Sequence, residues 1–323
     1  MMLFQFVPAL LEQKLVPAEL LGASQKMQGV RELIKKVGPN DCAVLILGES
    51  GTGKELVARA IHLAGPRRDK PFIAVDCSAL VPTLIESELF GHLKGAFTGA
   101  TANKQGLLPA ANGGTLFLDE IAELSPECQA KVLRAIQEKG IKPVGSNQWF
   151  SIDARVIAAT SRDLQSRMRE GTFRQDLYFR LNVVQIKLPP LRDRKSDIPL
   201  LVAAFLARFS DPSRPVCNIS DEAETRLMAY DWPGNVRELE NAIERAVALG
   251  AGPVLQLADL PPSLDSESQG ELSVRDNLLP LEKLEQRAIF YALRQTNGDT
   301  LAAACLLAIG ESTLYRKLKW YHR

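Results

Sequence analysis

The sequence predicts an α/β fold, a parallel sheet with covering helices, joined to a helical subdomain and a C-terminal all-α domain. Three observations predict it. Short apolar runs alternate with helical patterns through the first half of the chain. The strand signal then stops, and three helical segments follow Asp197. A stretch rich in Gly, Pro, Ser and acidic residues separates these from a last set of helical segments.

Residues 43–47 (AVLIL), 72–76 (FIAVD), 115–119 (TLFLD) and 155–160 (RVIAAT) read as buried parallel strands, because they are apolar without strict alternation. Helical stretches lie between them, at 54–64, 84–90 and 126–139. Segments 198–209, 221–229 and 236–249 form the helical subdomain, and DWPGN at 231–235 is a turn with Asn235 as helix N-cap. Residues 250–277 read as a linker. Helices are expected at 281–293, 300–307 and 311–320. The expected division is a short N-terminal segment at 1–20, the α/β part at 21–190, the helical subdomain at 191–250, a linker at 251–277 and the C-terminal domain at 278–323.

A chain of 323 residues has room for roughly two domains. Its net charge of +1 excludes bulk attraction to nucleic acid or membrane, so any such contact is a local patch. The five cysteines are scattered without framework spacing, which predicts reduced thiols. Three distant histidines argue against a zinc site. The apolar start lacks a basic flank and is interrupted by Pro8 and Glu12, so neither a signal peptide nor a membrane span is expected. The expected location is cytoplasmic.

Gly48, Glu49, Ser50, Gly51, Thr52, Gly53 and Lys54 have the G-x-x-x-x-G-K spacing, after a strand and before a helix. Glycines there let backbone N–H groups close on phosphate oxygens, and Lys54 adds charge for the β- and γ-phosphates. Glu55 stands where Ser or Thr usually helps hold Mg²⁺. Asp119 and Glu120 end an apolar strand. Such a pair can hold Mg²⁺ through Asp119 and polarise an attacking water through Glu120. Arg174 and Arg180, expected on one helix, are candidates for charge on a γ-phosphate or for surface ion pairs. Gly95, Ala96, Phe97, Thr98, Gly99 and Ala100 form a Gly-rich turn around one aromatic ring. Either the ring folds back on the domain, or a nucleotide drives the loop.

The motifs GESGTGKE, ESELFGHLKGAFTGA, GGTLFLDE, GTFRQDLYFRLNV, LPPLRDRKSDI and WPGNVRELEN, in this order, resemble the bacterial enhancer-binding proteins, the sigma-54-dependent transcription activators of the AAA+ ATPase class. The match runs from about residue 21 to 249. It implies ATP with Mg²⁺ at the boundaries of a homo-oligomeric ring, usually a hexamer. It also implies Walker A and B roles for Lys54 and for Asp119 with Glu120. Arg174 and Arg180 would be fingers reaching the neighbour's nucleotide, and Arg237 a sensor on the lid. Residues 95–100 would touch sigma-54 in the RNA polymerase holoenzyme. The C-terminal helices resemble a Fis-type helix-turn-helix, with Ser312, Thr313, Tyr315, Arg316, Lys317 and Lys319 toward double-stranded DNA.

This chain departs from the family's pattern at several points. Asp76 replaces an Asn that relays nucleotide state to Glu120; when ionised it cannot donate a hydrogen bond, and close by it would repel Glu120. Ser161 replaces the sensor Asn, and GLLP, ending at Pro109, replaces GRFE. Ala308, Gly310 and Glu311 depart in the helix-turn-helix. Control is expected from a regulatory protein in trans or from expression level. The leading expectation is a sigma-54-dependent activator that hydrolyses ATP. The alternative is a nucleotide-binding DNA regulator with weak or no hydrolysis, and a third is another AAA+ remodeller.

Overall fold

A computed structural model of the chain describes residues 20–79, 84–97, 99–210, 218–250 and 252–264. Toward the end it describes 285, 288–289, 291–293, 296, 299–307 and 309–321. Contacts divide the chain into two units, Met1–Asp265 and Ser266–Arg323.

The first unit is built on a five-stranded sheet of Val44–Leu47 (β1), Phe72–Asp76 (β2), Thr115–Asp119 (β3), Arg155–Thr160 (β4) and Val184–Lys187 (β5). Its spatial order is β2-β3-β4-β1-β5, with every pairing parallel. Successive side chains of a strand point to opposite faces. Leu45, Leu116, Leu118 and Ala158 therefore pack on one side, with helices Ile85–Phe90, Pro126–Glu138 and Gln175–Leu181. Val44, Ile46, Phe117, Ile157 and Ala159 pack on the other, with helices Gln25–Val37 and Lys54–Leu63. Burial on both faces is why β1, β3 and β4 read as apolar runs.

Among the elements with no counterpart in the sequence-based expectation, two matter most to the sheet. Strand β5 sits at the sheet edge and buries only Ile186 fully, so its VQIK sequence carries little apolar signal. Helix Gln25–Val37 begins at Ser24, whose hydroxyl accepts the Met27 N–H, and buries the stripe Met27, Val30, Ile34 and Val37.

The helical part holds Ile198–Phe209, Asp221–Ala229 and Asn235–Leu249 around Trp232, Leu239 and Ile243. Two expectations are corrected here. Asn235 is the first residue of its helix, at φ +55°, and Gly234 is the cap. The Asn235 amide is bound instead to residues outside that helix, as described below. The linker expected from 251 is built into this subdomain as far as Leu264. Val254–Leu255 pairs with Asn218–Ile219, and Leu255, Leu260 and Leu264 are buried in the helical core. Three widely spaced leucines have no helical period, which hid them.

In the second unit, helices Thr300–Leu306 and Glu311–Tyr321 pack Ala303, Ala304 and Leu314 against Ile289 and Ala292. Of the helix expected at 281–293, only 285, 288–289 and 291–293 are described, all helical. The expected N-terminal segment, apart from Leu20, and residues 265–277 of the expected linker lie outside the described residues. Among the described residues no helix is long and apolar enough to cross a membrane, and no cluster of His, Cys, Asp or Glu could hold a metal ion.

Candidate nucleotide site and the loop at 95–100

The phosphate-type loop leaves β1 at its C-terminal end and enters helix Lys54–Leu63. Gly51 and Gly53 hold φ of +76° and +101°, the left-handed region that disfavours a Cβ. The Thr52 hydroxyl donates to the Glu49 carbonyl at 2.8 Å. Lys54 is only 6 % exposed. Its ammonium donates to the Gly48 carbonyl at 3.1 Å and to Glu120 Oε1 at 3.0 Å.

Glu120 follows β3 in a left-handed conformation, φ and ψ both 48°. Its second oxygen, Oε2, accepts the Ser161 N–H at 2.9 Å, the Ser161 hydroxyl at 3.0 Å and the Thr160 hydroxyl at 3.3 Å. Burial pushes the Glu120 carboxyl up, but the Ser161 N–H and the Lys54 ammonium outweigh it and hold it below the usual value. Ser161, read as a departure, is thus a direct partner of Glu120, and the Lys54–Glu120 pair joins the loop to the acidic strand end. Asp76 lies opposite Asp119 in register, but its carboxylate accepts the Ser78 N–H and hydroxyl at 2.8 and 2.6 Å. The hydrogen-bond partners of the Glu120 carboxylate are Lys54, Thr160 and Ser161, not Asp76.

Burial holds the Asp119 carboxyl above its usual value, and the nearby Glu120 and Asp76 charges push the same way against the Lys54 charge. A carboxylate with a raised value destabilises the fold once ionised and is harmless when protonated. Asp119→Asn is therefore expected to raise the thermal midpoint by a few degrees at pH 7. The gain disappears as pH falls below the ordinary value of 3.8. Melting curves at the two pH values check this; an equal gain at both would exclude the electrostatic cause.

The helical subdomain closes on the loop. Arg192 donates to Glu49 through two nitrogens, at 2.9 and 2.6 Å. The Asn235 side chain accepts the Leu191 N–H at 2.8 Å and donates to the Ser50 carbonyl at 3.0 Å. The N–H groups of Val236 and Arg237 both donate to the Gly51 carbonyl. The Arg237 guanidinium reaches the Ser50 hydroxyl at 3.3 Å. The resemblance gives Arg237 a role here but none to Arg192 or Arg194, although both stand in the motif LPPLRDRKSDI. Arg194 is 3 % exposed and donates to the Thr52 carbonyl at 3.0 Å.

Other expected residues stand apart. Glu55 pairs with Arg59 on its own helix. Arg174 is not on a helix with Arg180: it is the extended N-cap of Gln175–Leu181 and pairs with Asp176. The preceding turn, anchored by the buried Phe173 ring, sets that boundary. Arg180 is exposed in the last turn.

The loop at 95–100 rises from the two-residue strands Gly91–His92 and Lys104–Gln105. The Gly95 N–H donates to the Ala100 carbonyl at 2.9 Å, and Gly95 and Gly99 hold positive φ. Phe97 meets His92 edge-on at 5.0 Å between ring centres, so the aromatic does fold back on its own base. Thr98 lies outside the described residues.

On helix Glu311–Tyr321, Ser312, Tyr315, Arg316 and Lys319 share one exposed face. Thr313 and Lys317 are half-buried, and Lys317 pairs with Glu285.

Residues 20–187 match the family described as Sigma-54 interaction domain, 192–276 the AAA+ ATPase lid domain, and 280–321 the bacterial regulatory protein, Fis family. The chain is 49% identical over 300 residues to the transcriptional regulatory protein ZraR of Escherichia coli (strain K12), covering 93% of this chain and 68% of that protein. It is 46% identical over 314 residues to the response regulator protein PilR of Pseudomonas aeruginosa, covering 95% and 71%. Its fold is similar to NtrX from Brucella abortus solved in complex with ATP, with a TM-score of 0.72 and 34% identity over 94% of this chain and 70% of that one.

Proposed function

The chain belongs to the sigma-54-dependent transcriptional activators, and from that premise we propose that it hydrolyses ATP with Mg²⁺ at the loop described above and uses the cycle to drive residues 95–100 against sigma-54. The observation that carries this reading is the Lys54–Glu120 ion pair, 3.0 Å long, between the phosphate-type loop and the acidic strand end. The residues fit a nucleotide: Gly51 and Gly53 supply the left-handed turn, and helix Lys54–Leu63 supplies an N-terminus for anionic phosphate.

ATP would supply the γ-phosphoryl group, and Mg²⁺ would supply positive charge to offset that of the phosphates. Lys54 binds the β- and γ-phosphates, exchanging its carboxylate partner for phosphate oxygens. Asp119 would hold the Mg²⁺. Glu120, once Lys54 has left it, accepts a proton from water, while Ser161 keeps its carboxylate oriented. Arg237 reaches the nucleotide from the lid, beside Ser50. Exposed Arg174 and Arg180 act on the nucleotide of the next subunit in a ring, usually a hexamer, where a head-to-tail contact that closes gives every site one partner. Ser312, Tyr315, Arg316 and Lys319 contact an upstream DNA site.

The second reading, nucleotide binding without turnover, draws on Asp76, whose carboxylate is turned to Ser78 and leaves Glu120 without that relay. One experiment separates the two: ATP-dependent open-complex formation with sigma-54 holoenzyme, comparing the chain with Thr98→Ala. Melting by the parent and its loss in the variant are expected. Equal melting by both would remove the loop from the mechanism, and absence of ATP turnover in the parent would favour the second reading.

A further inference from the structure

Glu49 belongs to the phosphate-type loop by sequence, yet both of its carboxylate oxygens are engaged by the lid. Oε1 and Oε2 accept the two Arg192 nitrogens, and Oε2 also accepts the Asn235 amide at 3.2 Å. The loop backbone follows the same direction. The Ser50 carbonyl accepts from Asn235 at 3.0 Å. The Gly51 carbonyl accepts the Val236 N–H at 3.0 Å and the Arg237 N–H at 3.3 Å, the second and third amides of helix Asn235–Leu249. The approach is so close that a Cβ on Gly51 would overlap the Gly234 carbonyl.

In a trans peptide the C=O and the next N–H point in opposite directions. Holding the carbonyls of Ser50 and Gly51 against the lid therefore turns the N–H groups of Gly51 and Thr52 away from it. The Gly51 N–H is a donor of the kind that cradles a phosphate, while the Thr52 N–H donates to the Glu49 carbonyl at 3.4 Å in this conformation. Asn235 is itself held in place: it is fully buried, in a left-handed conformation, with its own oxygen bound by the Leu191 N–H.

We propose that Glu49, Arg192 and Asn235 form a latch through which the lid sets the shape of the phosphate cradle, Glu49 and Arg192 being positioning residues and not phosphate contacts. This deepens the ATP-site reading above and rests on it. The sign of one substitution separates the latch from a direct role. A carboxylate that merely stands beside the triphosphate repels it, so its neutralisation would tighten binding. A carboxylate that holds the latch shapes the cradle, so its neutralisation loosens binding.

The test uses the full chain with Glu49→Gln, Arg192→Gln and the double variant. The two side chains are each 42% exposed, so these changes leave the folded core intact. Binding of a fluorescent ATP analogue is expected to weaken about threefold to tenfold in each single variant, as for a bidentate ion pair open to solvent. The double variant is expected to bind no more weakly than the weaker single, because one interaction is lost only once. Without nucleotide, amide hydrogen exchange at Val236 and Arg237 is expected to quicken in all three variants. Tighter binding by Glu49→Gln, multiplied losses in the double variant, or unchanged exchange at 236–237 would each overturn the latch. If the parent bound no ATP analogue, the nucleotide reading would fail, and the exchange measurement would still decide the latch.

Discussion

Glu120→Gln is expected to lower ATP turnover by about a thousandfold while ATP binding is kept or tightened. A positioned general base contributes on the order of a hundredfold to ten-thousandfold, and an amide cannot take the proton. The binding half of the result follows from the contacts. The Glu120 carboxylate meets only donors: the Lys54 ammonium on one oxygen, and the Ser161 N–H, the Ser161 hydroxyl and the Thr160 hydroxyl on the other. A glutamine has one accepting end. Whichever way it turns, its NH₂ faces either the ammonium or the Ser161 N–H, both donors. The pairing that occupies Lys54 is weakened, and Lys54 becomes freer for phosphate. Phosphate release measured beside equilibrium binding of an ATP analogue checks both halves. Turnover within tenfold of the parent would remove Glu120 from the base role.

Lys54→Ala is expected to weaken ATP binding by about a hundredfold or more, the equivalent of about 3 kcal/mol for a lost charge-assisted contact. It also leaves Glu120 half-buried without its counter-charge, so the variant is expected to melt earlier than the parent. Combining Lys54→Ala with Glu120→Gln removes the orphaned charge. The double variant is expected to regain much of the lost thermal stability and none of the ATP affinity. Recovery of affinity in the double variant would mean that Lys54 acts only by neutralising Glu120.

The sheet and the acidic strand end were legible because their signals are local. Four of the five strands are apolar on both faces, and the P-loop spacing and the Asp119-Glu120 pair each occupy a few consecutive residues. The fifth strand was not legible, since only Ile186 of β5 is fully buried and its polar neighbours face solvent at the edge. Arg174 was misread for a related reason. A helix start is decided by the backbone of the turn before it, and GTFRQ carries no capping side chain to mark the boundary.

Alone, the sequence determined the α/β class, the order of four of its five strands and the helices between them, the phosphate-type loop, the acidic pair and the family. Each of these depends on residue types at fixed short spacing, where periodicity and backbone preference act directly. Tertiary structure alone decided which groups hold those residues. Ser161 reaches Glu120 across 41 positions of chain, and Arg192 reaches Glu49 across 143. Both contacts exist because β3 and β4 are neighbours in the sheet and the lid folds back over the end of β1. Hydrogen bonds form over about 3 Å whatever the distance along the chain, so spacing in the sequence carries no trace of them.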